Sequence, residues 1–206
     1  LNNSSSKGEY EPRLGFRGGA VFEVPLGSGF SLNPEVFFTT SSFRFDNEEF
    51  IPGISSIVST ETQSSIEIPI NLQYQIADKY YSPYVSIGIT PTYLLSSVLE
   101  VERDIVNEQS VEVDTRDITG FRNQFNLNAT LSSGIKLPVG LGYYVFEARF
   151  NYGLLNYSDQ NNALTHDPLL TWNWRYADNE FRVNSISIHV IGYLFDKYIP
   201  KKLKSK

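Results

Sequence analysis

His189 and two nearby serines are the residues of this sequence that come closest to a catalytic set. Ser185, Ser187 and His189 occupy alternate positions, so an extended chain places all three side chains on one face. A serine, a histidine and a carboxylate can perform acyl transfer, which here would mean an enzyme that modifies membrane lipid. Serine is equally suited to packing a polar interior. We therefore predict no catalytic residue, and we keep the lipid enzyme as an alternative.

Charged residues recur at alternate positions of several extended segments, always on the polar side. Eight of them form a predicted charge network, with Arg182 as a further candidate: Arg13, Arg17, Glu23, Glu35, Glu67, Lys136, Glu147 and Arg149. If the polar side faces a closed interior, these charges must pair, because an unpaired buried charge is costly. We interpret them as a salt-bridged plug, with a gated conduit or proton relay as the alternative.

Metal and cofactor chemistry has little support. The chain has no cysteine and two histidines, His166 and His189, whose separation matches no metal motif. Acidic residues between the extended segments fit no calcium loop, so we predict no metal and no cofactor. Trp172 and Trp174 are the best candidates for contact with a protein or glycan partner.

Composition limits the class of protein. The 206 residues carry a net charge of −6, which argues against a nucleic-acid partner. No stretch approaches 18 consecutive apolar residues, so no transmembrane helix is predicted. The chain has no methionine, and we expect that a processed exported protein would have lost its signal peptide.

Seven segments alternate apolar and polar residues with a period of two, the pattern of strands with one apolar face. They are residues 13–26, 30–40, 66–76, 84–96, 125–137, 144–154 and 182–195. The last segment loses its phase at 191–195, which predicts a bulge. Pro25, Pro34, Pro69 and Pro91 lie in or near these strands and lack the N–H group that a ladder needs.

The connections alternate between short and long. Residues 26–30, 77–83 and 137–143 are tight, whereas 41–65, 97–124 and 155–181 are long and polar. This is the pattern of an outer-membrane β-barrel with short periplasmic turns. Within the second long connection, residues 98–106 and 111–118 are predicted to form a hairpin above the membrane.

Aromatic residues cluster near the short turns, which predicts an interfacial girdle. Its expected members are Phe30, Tyr80, Tyr81, Tyr84, Tyr143, Tyr144 and Tyr193.

Strand parity suggests an eighth strand. The first segment should run down into a periplasmic turn, so it begins outside, whereas such barrels have an even strand number and periplasmic termini. We expect a missing upward strand before Leu1, or one supplied by a partner chain.

Several short stretches resemble the PorT-like outer-membrane β-barrel family over residues 13–195. They are Gly15-Phe16-Arg17-Gly18-Gly19, Glu23-Val24-Pro25-Leu26, Phe30-Ser31-Leu32-Asn33-Pro34-Glu35, Ile66-Glu67-Ile68-Pro69, Gly88-Ile89-Thr90-Pro91-Thr92-Tyr93-Leu94-Leu95, Arg149-Phe150-Asn151-Tyr152-Gly153-Leu154 and Gly192-Tyr193-Leu194-Phe195. The resemblance implies an eight-stranded barrel whose first strand this chain lacks, accommodates the prolines, and implies no catalytic residue.

The predicted fold is an all-β, antiparallel up-and-down transmembrane barrel over residues 1–195, followed by a basic periplasmic tail at 196–206. The predicted function is that of a non-enzymatic structural or accessory subunit of an outer-membrane assembly for secretion or nutrient uptake. Expected partners are outer-membrane lipid, lipopolysaccharide and at least one protein. A lipid-modifying enzyme and a small pore are the alternatives, and a soluble lipocalin-like barrel with apolar residues inside is a fourth interpretation.

Overall fold

A computed structural model describes residues 10–47, 54–76, 81–105, 111–139, 142–156 and 182–193. These residues form eleven strands of one antiparallel sheet and one short 3-10 turn, Thr119–Phe121. The strands are β1 Tyr10–Pro12, β2 Phe16–Val21, β3 Val24–Gly27, β4 Phe30–Asn47, β5 Ile54–Glu67, β6 Ile70–Gln75, β7 Ser82–Ile105, β8 Val111–Asp117, β9 Phe125–Val139, β10 Gly142–Gly153 and β11 Ser185–Tyr193. Within these ranges no helix is long and apolar enough to cross a membrane.

The eleven strands occupy seven neighbouring positions in the sheet. The first position holds β1, β2 and β3, which all pair with β4. The position after β4 is shared by β5 and β6, and β8 and β9 both pair with β7. Strands β10 and β11 complete the order. Among the described residues, no backbone ladder joins the first position to β11. Side chains do bridge these two edges, since Arg17 Nη1 lies 3.5 Å from His189 Nε2.

The sheet buries its polar face and exposes its apolar face. On the inner face Asn71 and Thr90 are 1% and 0% exposed, whereas Ile87 and Leu131 on the outer face are 64% and 58% exposed. This is the reverse of the lipocalin-like arrangement. An apolar outer surface of this extent is unsuited to water and is suited to the hydrocarbon of a bilayer.

The strands on one side of this apolar band are longer than the sequence predicted. Strand β4 continues to Asn47 and β7 to Ile105, and β5 begins at Ile54, so much of residues 41–65 and 97–124 is strand rather than loop. Polar outward positions such as Ser64 and Thr62 hid this extension, because they replace the apolar outward residues of β5 beyond the apolar band. The predicted hairpin of 98–106 and 111–118 agrees with the pairing of β7 and β8.

The four prolines named above, Pro25, Pro34, Pro69 and Pro91, lie where a ladder is already interrupted. A register shift falls between Pro25 and Gly27, and Pro69 occupies the break between β5 and β6. Pro91 lies opposite that same break, where its carbonyl accepts a hydrogen bond from the Ile68 N–H at 2.9 Å. Pro34 lies opposite the break between β2 and β3, and its carbonyl accepts from Phe22. The missing N–H groups therefore cost no ladder bonds in the middle of a strand.

The predicted bulge at the end of the last strand is wrong for the residues described. The pairing of β11 with β10 runs without a shift from Ser185 to Tyr193. Ile191 faces inward in phase with His189, and this inward apolar residue produced the apparent loss of period. The outer face of β11 is correspondingly the most open of the sheet, with Ile188 84% exposed.

The predicted aromatic girdle is also partly wrong. Phe30, Tyr81 and Tyr144 face outward, but Tyr84 is buried and Tyr143 hydrogen-bonds inward to Glu23. Tyr193 stacks on Tyr143 with ring centroids 4.4 Å apart. Tyr80 lies outside the described residues. Glu147 and Glu23 retain the Tyr84 and Tyr143 rings in the interior by accepting hydrogen bonds from their hydroxyls.

A two-residue turn, Ser28-Gly29, joins the end of β3 at Gly27 to β4 on the short-turn side of the sheet. Gly27, Ser28 and Gly29 all have positive φ, at 94°, 54° and 83°. Glycine adopts this region without a Cβ penalty, so the sequence Gly-Ser-Gly allows the chain to reverse tightly here.

Candidate functional site

Arg149 lies at the centre of the interior that the sheet encloses, here called the lumen. Its guanidinium donates to Glu35 Oε2 at 2.7 Å through Nη1 and to Glu35 Oε1 at 2.9 Å through Nη2. Its Nε donates to Glu147 Oε1 at 2.8 Å. The side chain of Arg149 is 0% exposed. Arg149 and Glu147 belong to β10, whereas Glu35 belongs to β4. The contact between Arg149 and Glu35 therefore crosses the lumen, since these strands are far apart in the sheet.

Neutral donors complete the coordination of the second carboxylate. The Tyr84 hydroxyl donates to Glu147 Oε2 at 2.7 Å, and the Ser132 hydroxyl donates to the same oxygen at 3.0 Å. Asn71 donates its amide to Glu35 Oε1 at 2.9 Å. These bonds compensate for one arginine facing two carboxylates, because a buried carboxylate needs its oxygens satisfied.

A second ion pair closes the lumen toward the short turns. Lys136 Nζ lies 2.6 Å from Glu23 Oε1, and the Tyr143 hydroxyl donates to the other oxygen of Glu23. The lysine ammonium also lies over the Tyr84 and Tyr143 rings, 5.6 and 5.2 Å from their centroids. Cation–π contacts of this kind add to the ion pair when water is excluded.

A third ion pair lies toward the long strand extensions. Arg17 is paired with Glu67, and its guanidinium carbon stacks 4.3 Å from the Phe37 ring centroid. The lumen charges therefore lie in three layers, one pair above and one below the Arg149 cluster. Arg17, Glu23, Glu35, Glu67, Lys136, Glu147 and Arg149 are seven of the eight residues predicted for the network, and the structure brings them together in these layers.

The remaining predicted residues lie apart from the network. Arg13 is exposed at the rim and has no ion-pair partner in the part of the chain that the structure describes. Arg182 donates to Asn156 at an exposed position, 3.3 Å away, rather than to a lumen carboxylate. Trp172 and Trp174 lie outside the described residues.

Sequence reasoning missed a buried ion pair above the apolar band. Arg122 Nε and Nη2 donate to Glu61 Oε1 and Oε2 at 2.9 and 2.7 Å. Gln63 and Ser97 donate to Glu61 as well, each at 2.7 Å. Burial by itself would raise the pKa of Glu61, but the bonds and charge of Arg122 outweigh it and hold that pKa below its ordinary value. The sequence did carry one sign of this pair. Glu61 and Glu67 are an even number of residues apart in the same strand, so their side chains lie on the same face.

His189 lies inside the lumen and not at a membrane surface. Ser187 Oγ is 2.8 Å from His189 Nε2, and the Phe37 ring packs edge-on at 5.8 Å. The described residues place no carboxylate in hydrogen-bond contact with this ring, whereas the Arg17 cation lies 3.5 Å away. They also hold no cluster of three metal-ligating side chains.

The comparison with protein families agrees with the exposed apolar face of the sheet. The model of the outer membrane protein beta-barrel domain family matches residues 1–159, which is more than half of the chain. The chain belongs to this family. It is therefore an outer-membrane protein, and the exposed apolar band of the barrel domain is its lipid-facing surface. No curated protein and no solved structure matches the chain.

Membership in the barrel-domain family fixes the orientation of the layers described above. The short turns of such barrels lie in the periplasm, so the pair Lys136–Glu23 is near the periplasmic end of the lumen. Arg17–Glu67 is in the extracellular half, and Glu61–Arg122 lies in the extension beyond the membrane. The narrower resemblance to PorT-like barrels stays a prediction.

Proposed function

We propose that this barrel is a non-enzymatic structural or accessory subunit of an outer-membrane protein assembly, serving secretion or nutrient uptake. The observation that carries the proposal is the Arg149 cluster, in which a fully buried guanidinium joins Glu35 and Glu147 across the lumen. A barrel of about eight strands is only wide enough for side chains to fill it. With its lumen filled in three layers, the protein acts through its surfaces.

The extracellular extension supplies the surface. Strands β4, β5 and β7 continue past the apolar band, and β8 pairs with the upper part of β7. The Glu61–Arg122 pair and the buried Leu99 and Val101 give this extension an interior of its own. A rigid platform held above the membrane is suited to binding a protein partner, and Trp172 and Trp174 remain the proposed contact residues.

The membrane and the periplasm supply the other proposed contacts. The apolar band binds outer-membrane lipid, and lipopolysaccharide surrounds the extracellular half of the barrel. Strand β11 ends at Tyr193, beside Tyr143 on the short-turn side. We therefore propose that the basic tail at 196–206 enters the periplasm.

One contact favours the lipid-enzyme alternative, the 2.8 Å approach of Ser187 to His189. Serine catalysis requires the histidine to take up a proton and become cationic. The neighbouring Arg17 cation opposes this, and no carboxylate of the described residues bonds the ring to stabilise its cationic form. We therefore propose that the protein is not an enzyme.

Gentle extraction from the native membrane, followed by affinity purification and mass spectrometry, tests the proposed role. We expect a stoichiometric protein partner that dissociates when Trp172 and Trp174 are both changed to Ala. The matched control changes Phe125 and Phe146 to Ala, two outward aromatic residues of the lipid-facing band. A monodisperse protein that carries no partner would contradict the subunit role.

A further inference from the structure

A cavity of about 460 Å³ lies at the extracellular end of the lumen. Its wall includes Arg13 at the rim, the Arg17–Glu67 pair and Thr39. Serine, threonine and asparagine side chains supply most of the remaining polar wall. The cavity also reaches the seam between β2 and β11, where Phe16 and Ile186 border it.

Two residues of this wall each hold one buried polar atom that has no hydrogen-bond partner among the residues that the structure describes. These atoms are Arg17 Nε and Thr39 Oγ1. Arg17 already uses its other nitrogens, with Nη2 on Glu67 and Nη1 next to His189. A buried N–H or O–H group without a partner costs free energy, so a ligand group that reaches either atom would remove that cost.

The charge of the cavity selects the kind of group. Among the described residues of the wall, two arginines face one carboxylate, Glu67, so these residues carry one excess positive charge. Arginine recognises oxyanions well because its planar guanidinium presents several fixed donors. A volume of about 460 Å³ is within the range of sites that bind small molecules.

We propose that this cavity binds an oxyanion carried on a hydroxyl-rich molecule, such as a sugar phosphate. The oxyanion lies between Arg13 and Arg17, the hydroxyl groups bond the amide and hydroxyl wall, and Arg17 Nε and Thr39 Oγ1 turn toward the bound molecule. Such a group has two sources. It enters from the external medium through the rim, or it is the phosphorylated headgroup of an outer-leaflet lipid that enters through the seam.

Calorimetry on the detergent-solubilised full chain tests the site with glucose 6-phosphate, inorganic phosphate and glucose. We expect saturable binding of glucose 6-phosphate, weaker binding of phosphate, and no binding of glucose. Arg13→Gln should weaken glucose 6-phosphate binding roughly tenfold, and Thr39→Val about fivefold, because a charged and a neutral hydrogen bond are lost. Among the described residues neither the Arg13 side chain nor the Thr39 hydroxyl has a hydrogen-bond partner, so these variants should fold. The control Arg116→Gln removes a cation of β8, outside the cavity, and should leave the affinity unchanged.

Lipid nanodiscs distinguish the two sources. If the source is a headgroup, a phosphorylated lipid purifies with the wild type, is lost from Arg13→Gln, and prevents the binding of glucose 6-phosphate. If the source is soluble, glucose 6-phosphate binds equally well in nanodiscs and in detergent. The proposal is overturned if neither a soluble probe nor a phosphorylated lipid binds, since the cavity then holds only water. It is also overturned if glucose binds as tightly as glucose 6-phosphate, or if Arg13→Gln and Thr39→Val bind like the wild type.

Discussion

Arg149 and Glu35 are joined across the lumen by two parallel hydrogen bonds of 2.7 and 2.9 Å, with neither side chain in contact with solvent. They belong to β10 and β4, which no ladder connects directly. The pair therefore holds opposite walls of the sheet together through side chains. Because both groups are buried, removing one leaves an uncompensated charge, and this makes the pair the most sensitive point of the interior.

Replacing Arg149 with Met should lower the free energy of unfolding by about 3–5 kcal/mol, because Glu35 and Glu147 are then buried without a cation. Urea titration of the protein in lipid vesicles measures this. The triple variant Arg149→Met, Glu35→Gln, Glu147→Gln should recover most of the loss. Arg13→Gln is the matched control, since Arg13 is exposed and has no ion-pair partner among the described residues, and it should change stability by less than about 0.5 kcal/mol. A loss below about 1 kcal/mol for Arg149→Met would contradict the assigned role of the cluster.

The outward apolar band gives a second prediction. Ile87→Lys places a charge in the middle of the lipid-facing stretch of β7, where it should cost about 2–4 kcal/mol in a bilayer. Val113→Lys is the control, because Val113 is similarly exposed but lies in β8 of the extension. It should cost close to nothing. Equal effects of the two changes on folding in vesicles would show that the band does not face hydrocarbon.

The extension should loosen in acid. The pKa of Glu61 in the folded protein lies below its ordinary value, so the pair with Arg122 stabilises the fold above the unfolded pKa of about 4.3. That contribution is lost as the pH falls through the lowered pKa. Hydrogen-exchange protection of the amides around Leu99 should therefore fall more between pH 7 and pH 3 in the wild type than in Glu61→Gln.

Comparison with Glu61→Gln isolates this pair from another acid of the same extension. The pKa of Asp117 is also lowered, by hydrogen bonds from the Thr119 hydroxyl and N–H. Asp117 titrates in both proteins, so only the difference between them reports on Glu61. An identical loss of protection in the two proteins would assign the acid sensitivity elsewhere.

The seven sheet positions were predictable because their apolar residues alternate strictly against lipid. The extension was not, since Ser64, Thr62 and Thr60 replace the apolar residues on the outer face once the strand leaves the membrane. The lumen charges were predictable for a similar reason, because each lies at a position that alternates with the apolar residues of its strand. Their pairing was not, because Arg149 and Glu35 are 114 residues apart and only the curvature of the sheet brings them together.

His189 offers a test of the enzyme alternative. Since its ring is next to the Arg17 cation inside the lumen, His189→Ala should leave the lipid composition of the outer membrane unchanged. Mass spectrometry of extracted lipids measures this, with a strain that lacks the protein as reference. A lipid change shared by the variant and the deletion strain, and reversed by the wild type, would support the lipid-modifying enzyme.

Single-channel recording tests the filled lumen most directly, because the Arg149 cluster blocks an ion path wherever it is intact. The purified wild type in a planar bilayer should show no discrete conductance. The variant in which the seven charged residues of all three layers are changed to Ser should conduct, since the Lys136–Glu23 and Arg17–Glu67 layers would otherwise still fill the lumen. Discrete conductance steps in the wild type, unchanged in this variant, would contradict the account and support a small pore.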